Sequence, residues 1–266
     1  MTPPIALTIA GSDPGGGAGL QADLRTFSAL GVHGVSVVAV ITVQDSAAVH
    51  RVHPLEANLV REQLWAVTAD LPPVASKAGL LASRANIEVV ADAAGAGLLG
   101  RLVVDPVLRA STGAELTPEG LAGLYCELLL PAAAVVTPNL AEAAWLTGDA
   151  IPDRDAMRRA AGRLVELGAR AAVVTGGHLE TGTEVVDVLA HDGGADVFSR
   201  PRIATPNTHG TGCTFSAAVA AHLARGLTIP DAVEAGGAFV ARALAGATSW
   251  RLGSGPGPLD QLGAGG

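Results

Sequence analysis

Lysine is nearly absent from this chain of 266 residues: 17 side chains are basic, and Lys77 is the one lysine among them. It sits in Ser76-Lys77-Ala78, not in Gly-Lys-Ser/Thr, so the phosphate loop of the P-loop NTPases is excluded. Cysteine is scarce too. Cys126 and Cys213 cannot build a disulfide framework, and with no histidines at ligand spacing they supply no zinc pattern. Eight aromatics, four Phe, three Trp and one Tyr, are too few for a platform that stacks single-stranded bases. Basic residues are outnumbered by 25 acids, and the net charge of −8 disfavours a protein that coats nucleic-acid phosphates. Long apolar runs are missing: Val35–Val43 is short and Leu128–Val136 is broken by Pro131, so no membrane span is expected. Met1-Thr2-Pro3-Pro4 lacks the basic start of a secretory signal, and a cytoplasmic location is the expectation.

Hydrophobic residues, by contrast, make up 49% of the chain, enough for a sizeable core. Short apolar runs at Ile5–Ala10, Val35–Val43, Val74–Ala78, Arg101–Asp105, Ala133–Val136 and Ala171–Thr175 predict buried strands. Helical patterns fall between them, at 18–30, 55–69 (opened by Pro54), 83–96, from Thr117, and at 153–167. Residues 184–190 and 195–199 predict a hairpin around Asp192-Gly193-Gly194, and helices at 212–225 and 230–247 close the pattern. Such alternation implies an α/β fold, a mostly parallel sheet with helices on both faces. No composition break divides residues 1–252, and the Gly/Pro-rich segment 253–266 is expected to be a loose tail. In sheets of this kind ligands bind at the carboxyl ends of the strands.

Three stretches lie at such ends. Gly11-Ser12-Asp13-Pro14-Gly15-Gly16-Gly17-Ala18-Gly19 follows the first strand; it matches a dinucleotide fingerprint only weakly and reads either as a mobile turn or as a loop whose backbone meets a substrate. Asn207-Thr208-His209-Gly210-Thr211-Gly212-Cys213-Thr214 leads into an apolar helix, whose free N–H groups and dipole make an anion site. Cys213 in its first turn is either a thiol whose pKa the helix lowers or a buried, inert residue. Thr137-Pro138-Asn139-Leu140-Ala141-Glu142 places an amide and a carboxylate on one helix face, which suits either a capping box or the waters of a cation. Asp105 ends a strand at the same edge.

Together these stretches resemble one family. Ala6–Pro14 and Gly16–Leu24, Thr137-Pro138-Asn139-Leu140-x-Glu142-Ala143, Gly176-Gly177-His178 and Asn207–Thr214 are similar, in order, to the signatures of the hydroxymethylpyrimidine/phosphomethylpyrimidine kinases of thiamine biosynthesis. The resemblance implies a ribokinase-like three-layer α/β sandwich, ATP and Mg²⁺ as cofactors, a small pyrimidine as substrate and a homodimer. It implies that Gly11, Ala18, Asp23 and Gln44 hold the pyrimidine, with Leu80 and Val107 flanking the ring. Gly210, Thr211, Gly212 and Cys213 would form the anion hole, Cys213 taking the substrate's hydroxyl proton; Asn139 and Thr175 would meet ATP, and Asp105 and Glu142 the metal. The chain departs from the family pattern at Thr175-Gly176-Gly177-His178, where lysine is usual in the first position, at Gln44-Asp45-Ser46 in place of Gln-Asn-Thr, and at Leu80 in place of Met. Thr175 removes a fixed positive charge that an arginine elsewhere could replace. The alternatives are a pyridoxal or pyridoxine kinase, whose lid cysteine has no counterpart near Arg109-Ala110-Ser111, and a pyrimidine-binding protein with a degenerate kinase site.

Overall fold

The apolar runs become strands because their Val, Ile and Ala side chains can be buried on both faces of a sheet. The computed structural model describes residues 2–179 and 182–265. Among them, nine strands form one sheet: β1 (Ile5–Ser12), β2 (His33–Gln44), β3 (Val49–Pro54), β4 (Ala75–Ala78), β5 (Arg101–Val104), β6 (Val135–Val136), β7 (Ala171–Thr175), β8 (Glu184–His191) and β9 (Gly194–Pro201). Their spatial order is β3-β2-β1-β4-β5-β6-β7-β8-β9. The six strands from β2 to β7 are mutually parallel; β3 at one edge and the β8–β9 hairpin at the other run antiparallel to their neighbours. The chain leaves β1 towards β2 and returns on its other side with β4, so the order reverses between β1 and β4, where a crevice opens beyond the strand ends.

Among the described residues, eight α-helices cover the sheet: α1 (Gly19–Ala29), α2 (Ala57–Asp70), α3 (Arg84–Gly95), α4 (Ala122–Leu124), α5 (Leu140–Thr147), α6 (Arg154–Glu166), α7 (Thr211–Ala224) and α8 (Ile229–Gly246). Alternate residues of each strand serve the two faces. Leu7, Ile9, Ala172 and Val174 join a core with α2, α3, α5 and α6, whereas Ala6, Ala171 and Val173 join one with α1, α7 and α8. The α/β sandwich read from the sequence is the fold observed.

Three local expectations need correction. Pro54 does not open a helix; it ends the edge strand β3, where a missing N–H is tolerated, and α2 starts at Ala57. The helix expected from Thr117 is an irregular run of single turns over residues 119–132, with α4 as its one α-helical turn. The segment from Gly253 is not loose. Ser46 Oγ accepts the N–H groups of Ser254 and Gly255 at 2.9 and 3.1 Å, the Gly257 carbonyl accepts from His209 N, and Leu259, Gln261 and Ala264 are buried. Glycine and proline here shape a docked strap whose polar backbone is satisfied.

Candidate active site

The loops beyond the strand ends enclose a cavity of about 700 Å³. Its wall includes every residue singled out from the sequence except Asp23: Gly11, Ala18, Gln44, Leu80, Asp105, Val107, Asn139, Glu142, Thr175 and the turn Gly210–Cys213. The cavity has two ends. Gly11, Gln44, Leu80 and Val107 come from the β1, β2, β4 and β5 side, and Asn139 and Thr175 from the β6 and β7 side. The α7 turn lies on the same wall.

That turn is built for an anion. Gly210 has φ +88°, and a Cβ on it would lie 1.9 Å from the Gly17 carbonyl oxygen, so only glycine fits. Thr214 N is the first to bond within the helix, to Gly210 O at 2.8 Å, and the Gly212 and Cys213 N–H groups have no acceptor among the described residues. Residue 13 locks this turn to the first loop. Asp13 Oδ1 accepts from Gly15 N at 2.8 Å; Oδ2 accepts from Gly17 N and Ala18 N at 3.0 and 2.9 Å and pairs with His209 Nε2 at 2.9 Å. Burial opposes ionisation of Asp13, but the bonds from His209, Gln44 and Ala18 prevail and hold its pKa well below the usual carboxylate range. His209 Nδ1 reaches Ser111 Oγ at 3.1 Å, so three loops meet at one imidazole.

Beneath the pyrimidine end lies a buried charge cluster. Lys77 Nζ is 3.0 Å from Asp23 Oδ2 and 3.5 Å from Asp105 Oδ2, with its side chain 1% exposed. Burial alone would depress its pKa; Asp23, Cys213 and Asp105 outweigh that, so the ammonium stays charged. Asp23 thus does not reach a substrate. It is wholly buried, accepts from Thr8 Oγ1 at 2.6 Å, and is the partner that makes Lys77 tolerable.

Cys213 also departs from expectation. It stands in the first turn of α7, yet its thiol is pushed up to about 12. Burial is the largest cause, and the charges of Asp105 and Asp23 add to it, overriding Lys77 and the Gly19 N–H. Asn139 and Glu142 form the capping box: Asn139 Oδ1 accepts from Glu142 N at 3.1 Å, and Glu142 Oε2 accepts from Asn139 N at 2.9 Å. Glu142 remains on the cavity wall, and burial together with Asp105 lifts its pKa to about 8. Two crowded carboxylates of this kind fit a divalent cation that keeps several waters. No group of three or more His, Cys, Asp or Glu side chains able to hold a metal occurs among the described residues, which disfavours an all-protein cage.

Sequence reasoning passed over Lys77, Asp13, His209 and Arg200 as site residues. Lone Lys77 within an apolar strand was a signal, since a charge there needs buried partners. Asp13 in Ser-Asp-Pro-Gly was another, because Asp commonly caps such turns. Arg200 had none.

A profile of the phosphomethylpyrimidine kinase family matches residues 13–260. The chain belongs to that family. It is 49% identical, over 97% of both chains, to a hydroxymethylpyrimidine/phosphomethylpyrimidine kinase of Rhizobium meliloti. Among solved structures it resembles the ADP complex of Bacillus subtilis pyridoxal kinase, with TM-score 0.89, 38% identity and 98% of each chain covered. It also resembles Staphylococcus aureus pyridoxal kinase in complex with AMP-PCP, with TM-score 0.90, 31% identity, and 99% of this chain and 95% of that one covered. These kinases carry the ribokinase-like fold that the sequence led us to expect, and no described helix is long and apolar enough to cross a membrane.

Proposed function

We propose that this kinase moves the terminal phosphoryl group of ATP to the hydroxymethyl oxygen of 4-amino-5-hydroxymethyl-2-methylpyrimidine, and also phosphorylates the resulting monophosphate. The observation that carries this reading is that one cavity is lined by Gly11, Gln44, Leu80 and Val107, by the helix turn Gly210–Cys213, and by Asn139 and Thr175. There Leu80 and Val107 would flank the ring with apolar side chains, and the Gln44 amide can both donate to a ring nitrogen and accept from an exocyclic amine. The Gly212 and Cys213 N–H groups would take the oxygens of the phosphoryl group in flight, with the α7 dipole aligned to them.

Transfer forms one bond, from substrate oxygen to phosphorus, and breaks the bond from phosphorus to the ADP oxygen. The hydroxyl proton must leave, and Cys213 Sγ would receive it. A thiol pushed to about 12 is seldom ionised at neutral pH but is a strong base once it is. Mg²⁺ held through waters by Asp105 and Glu142 would neutralise phosphate charge and remove part of the field that keeps the thiol protonated. Lys77 favours the thiolate from beneath.

Residues 1–252, together with the strap docked after them, would act as one kinase domain in the cytoplasm. A homodimer belongs to the same reading, supported by Ile41 and Val43, which are large apolar side chains left exposed on β2. Pyridoxal phosphorylation is the second reading, favoured by the two pyridoxal kinases the fold resembles. ADP release with Mg²⁺-ATP and each of hydroxymethylpyrimidine, its monophosphate and pyridoxal separates the two. We expect the highest kcat/KM with the pyrimidine; equal or higher kcat/KM with pyridoxal would overturn the assignment. Tight pyrimidine binding without ADP release would mean a binding protein.

A further inference from the structure

Four lysine or arginine side chains line the cavity among the described residues, and three are already engaged. Lys77 is closed between Asp23 and Asp105. Arg109 pairs with Glu119 on the exposed rim at 3.6 Å. Arg202 donates to the Gly177 and Leu179 carbonyls at 2.7 and 2.8 Å and so ties down the loop after β7.

Arg200 is different. One guanidinium nitrogen stands 2.7 Å from Asp187 Oδ2, an ion pair at hydrogen-bond distance. Arg200 makes no hydrogen bond to any other described residue. The pairing uses one edge of the guanidinium, and Arg200 stands on the cavity wall. The position is built. Asp187 is buried, its Oδ1 accepts from Gly176 N at 3.0 Å, and it lies directly opposite Thr175 in the β7–β8 ladder. The guanidinium fits a notch in α8 at Gly237, where a Cβ would come within 2.6 Å of it. The Arg200 side chain is 19% exposed, so it is held in the wall and does not wave in solvent.

We propose that Arg200 is a phosphate-binding cation of the nucleotide end, held by Asp187 and the Gly237 notch, and that it supplies the positive charge Thr175 does not. The inference rests on the ATP reading above. A guanidinium suits the task because it can set one edge against a carboxylate and present other N–H groups to phosphate oxygens.

Calorimetry with Mg²⁺-ADP and with adenosine tests it. Arg200→Met should weaken ADP binding about tenfold, the size of one charge-assisted hydrogen bond, and leave adenosine within about twofold. The KM for ATP should rise while that for the pyrimidine holds. Thr175→Lys added to Arg200→Met should recover most of the ADP affinity. Gly237→Ala carries the test should Arg200→Met unfold with Asp187 unpaired. Alanine is favoured inside a helix, and only the movable tip of Arg200 stands in its way. About threefold weaker ADP binding, with adenosine unchanged, is expected there. ADP binding at wild-type strength in either folded variant, or equal losses for ADP and adenosine, would overturn the proposal. A wild-type protein that binds ADP but phosphorylates no pyrimidine would defeat the functional reading and leave the Arg200 assignment standing.

Discussion

The two ends of the cavity handle charge in opposite ways. At the pyrimidine end every charge is closed on the protein: Lys77 lies between two aspartates, and Asp13 is met by three backbone N–H groups and an imidazole. What remains for a ligand is shape, from Gly11, Ala18, Leu80 and Val107, and neutral polar groups such as the part of the Gln44 amide that Asp13 leaves free. At the other end Arg200 has Asp187 as its one described partner, and in the turn where the ends meet the Gly212 and Cys213 N–H groups are unfilled. A flat neutral ring is selected by walls and a few polar atoms, whereas a polyphosphate needs donors that the protein has left unsatisfied. Asp105 belongs to both regimes: its Oδ2 lies 3.5 Å from Lys77 and accepts from Ser216 Oγ at 2.9 Å, and it stands on the wall beside Glu142.

The largest break in this comparison should come where the ends meet. Cys213→Ala is expected to lower kcat by about 10²–10⁴-fold, the range for loss of a general base, with both substrate affinities nearly unchanged. Retained turnover would make Cys213 a packing residue. Its protonation can be read directly: since the thiol sits near 12, carbamidomethylation of Cys213 should be slow at pH 7 and quicken about tenfold per pH unit up to pH 10. A plateau below pH 8 in a peptide-resolved mass measurement would contradict the raised pKa.

Next in size is the closed charge cluster. Lys77→Met leaves Asp23 and Asp105 facing each other without a cation, and losing one partner of a buried pair costs about 3–5 kcal/mol. Denaturant unfolding should show that loss before any kinetic effect is considered. A drop under about 1 kcal/mol would mean that water or a cation reaches the aspartates and that this end is not closed.

How much of this was legible follows the same division. The pyrimidine end and the anion turn come from contiguous stretches, Gly11–Ala18 and Asn207–Cys213, whose glycines and cap residues announce their geometry locally. The six parallel strands were legible as well, because each is apolar on both faces. Two things were not. Local reasoning put Asp23 at the ligand because it belongs to a family motif, yet Thr8 and Lys77, respectively 15 and 54 residues away, draw it into the core. Arg200 meets Thr175 only through the register that sets Asp187 opposite Thr175, and hairpin register cannot be read from β9 alone. The tail misled for a related reason: its composition says flexible, while Ser46 and Thr214, far away in sequence, supply its partners.

A smaller effect is expected at the clasp between the loops. Asp13→Asn keeps the size of the side chain but loses its charge and part of its accepting capacity, so about 1.5–3 kcal/mol of stability should go, the worth of hydrogen bonds to a charged group. The sign of the pH dependence follows from the direction of the shift. Asp13 is held more acidic in the folded protein than in the unfolded chain, so its contribution is complete above the ordinary carboxylate range and fades as pH falls towards the depressed folded value. The gap between wild type and Asp13→Asn should therefore be constant from pH 5 to 8 and narrow only in stronger acid. A gap that fails to narrow in stronger acid would contradict the depressed value of Asp13.

The mildest test sharpens the comparison from the apolar side. Leu80 is 7% exposed, lines the pyrimidine end, and packs its Cδ2 3.1 Å from where a Cβ on Gly11 would lie. Leu80→Met conserves volume and adds no charge, so stability should change by less than about 1.5 kcal/mol. The longer, unbranched side chain can follow the face of a ring and offers sulfur to its edge, a contact worth about 0.3–1.5 kcal/mol. The KM for the pyrimidine should therefore shift by no more than about tenfold. The KM for ATP should stay where it is, because Leu80 follows β4 whereas Thr175 and Arg200 stand on β7 and β9. A parallel shift of both constants in steady-state kinetics would show that the two ends are coupled through the cavity floor, and the division between them would have to be redrawn.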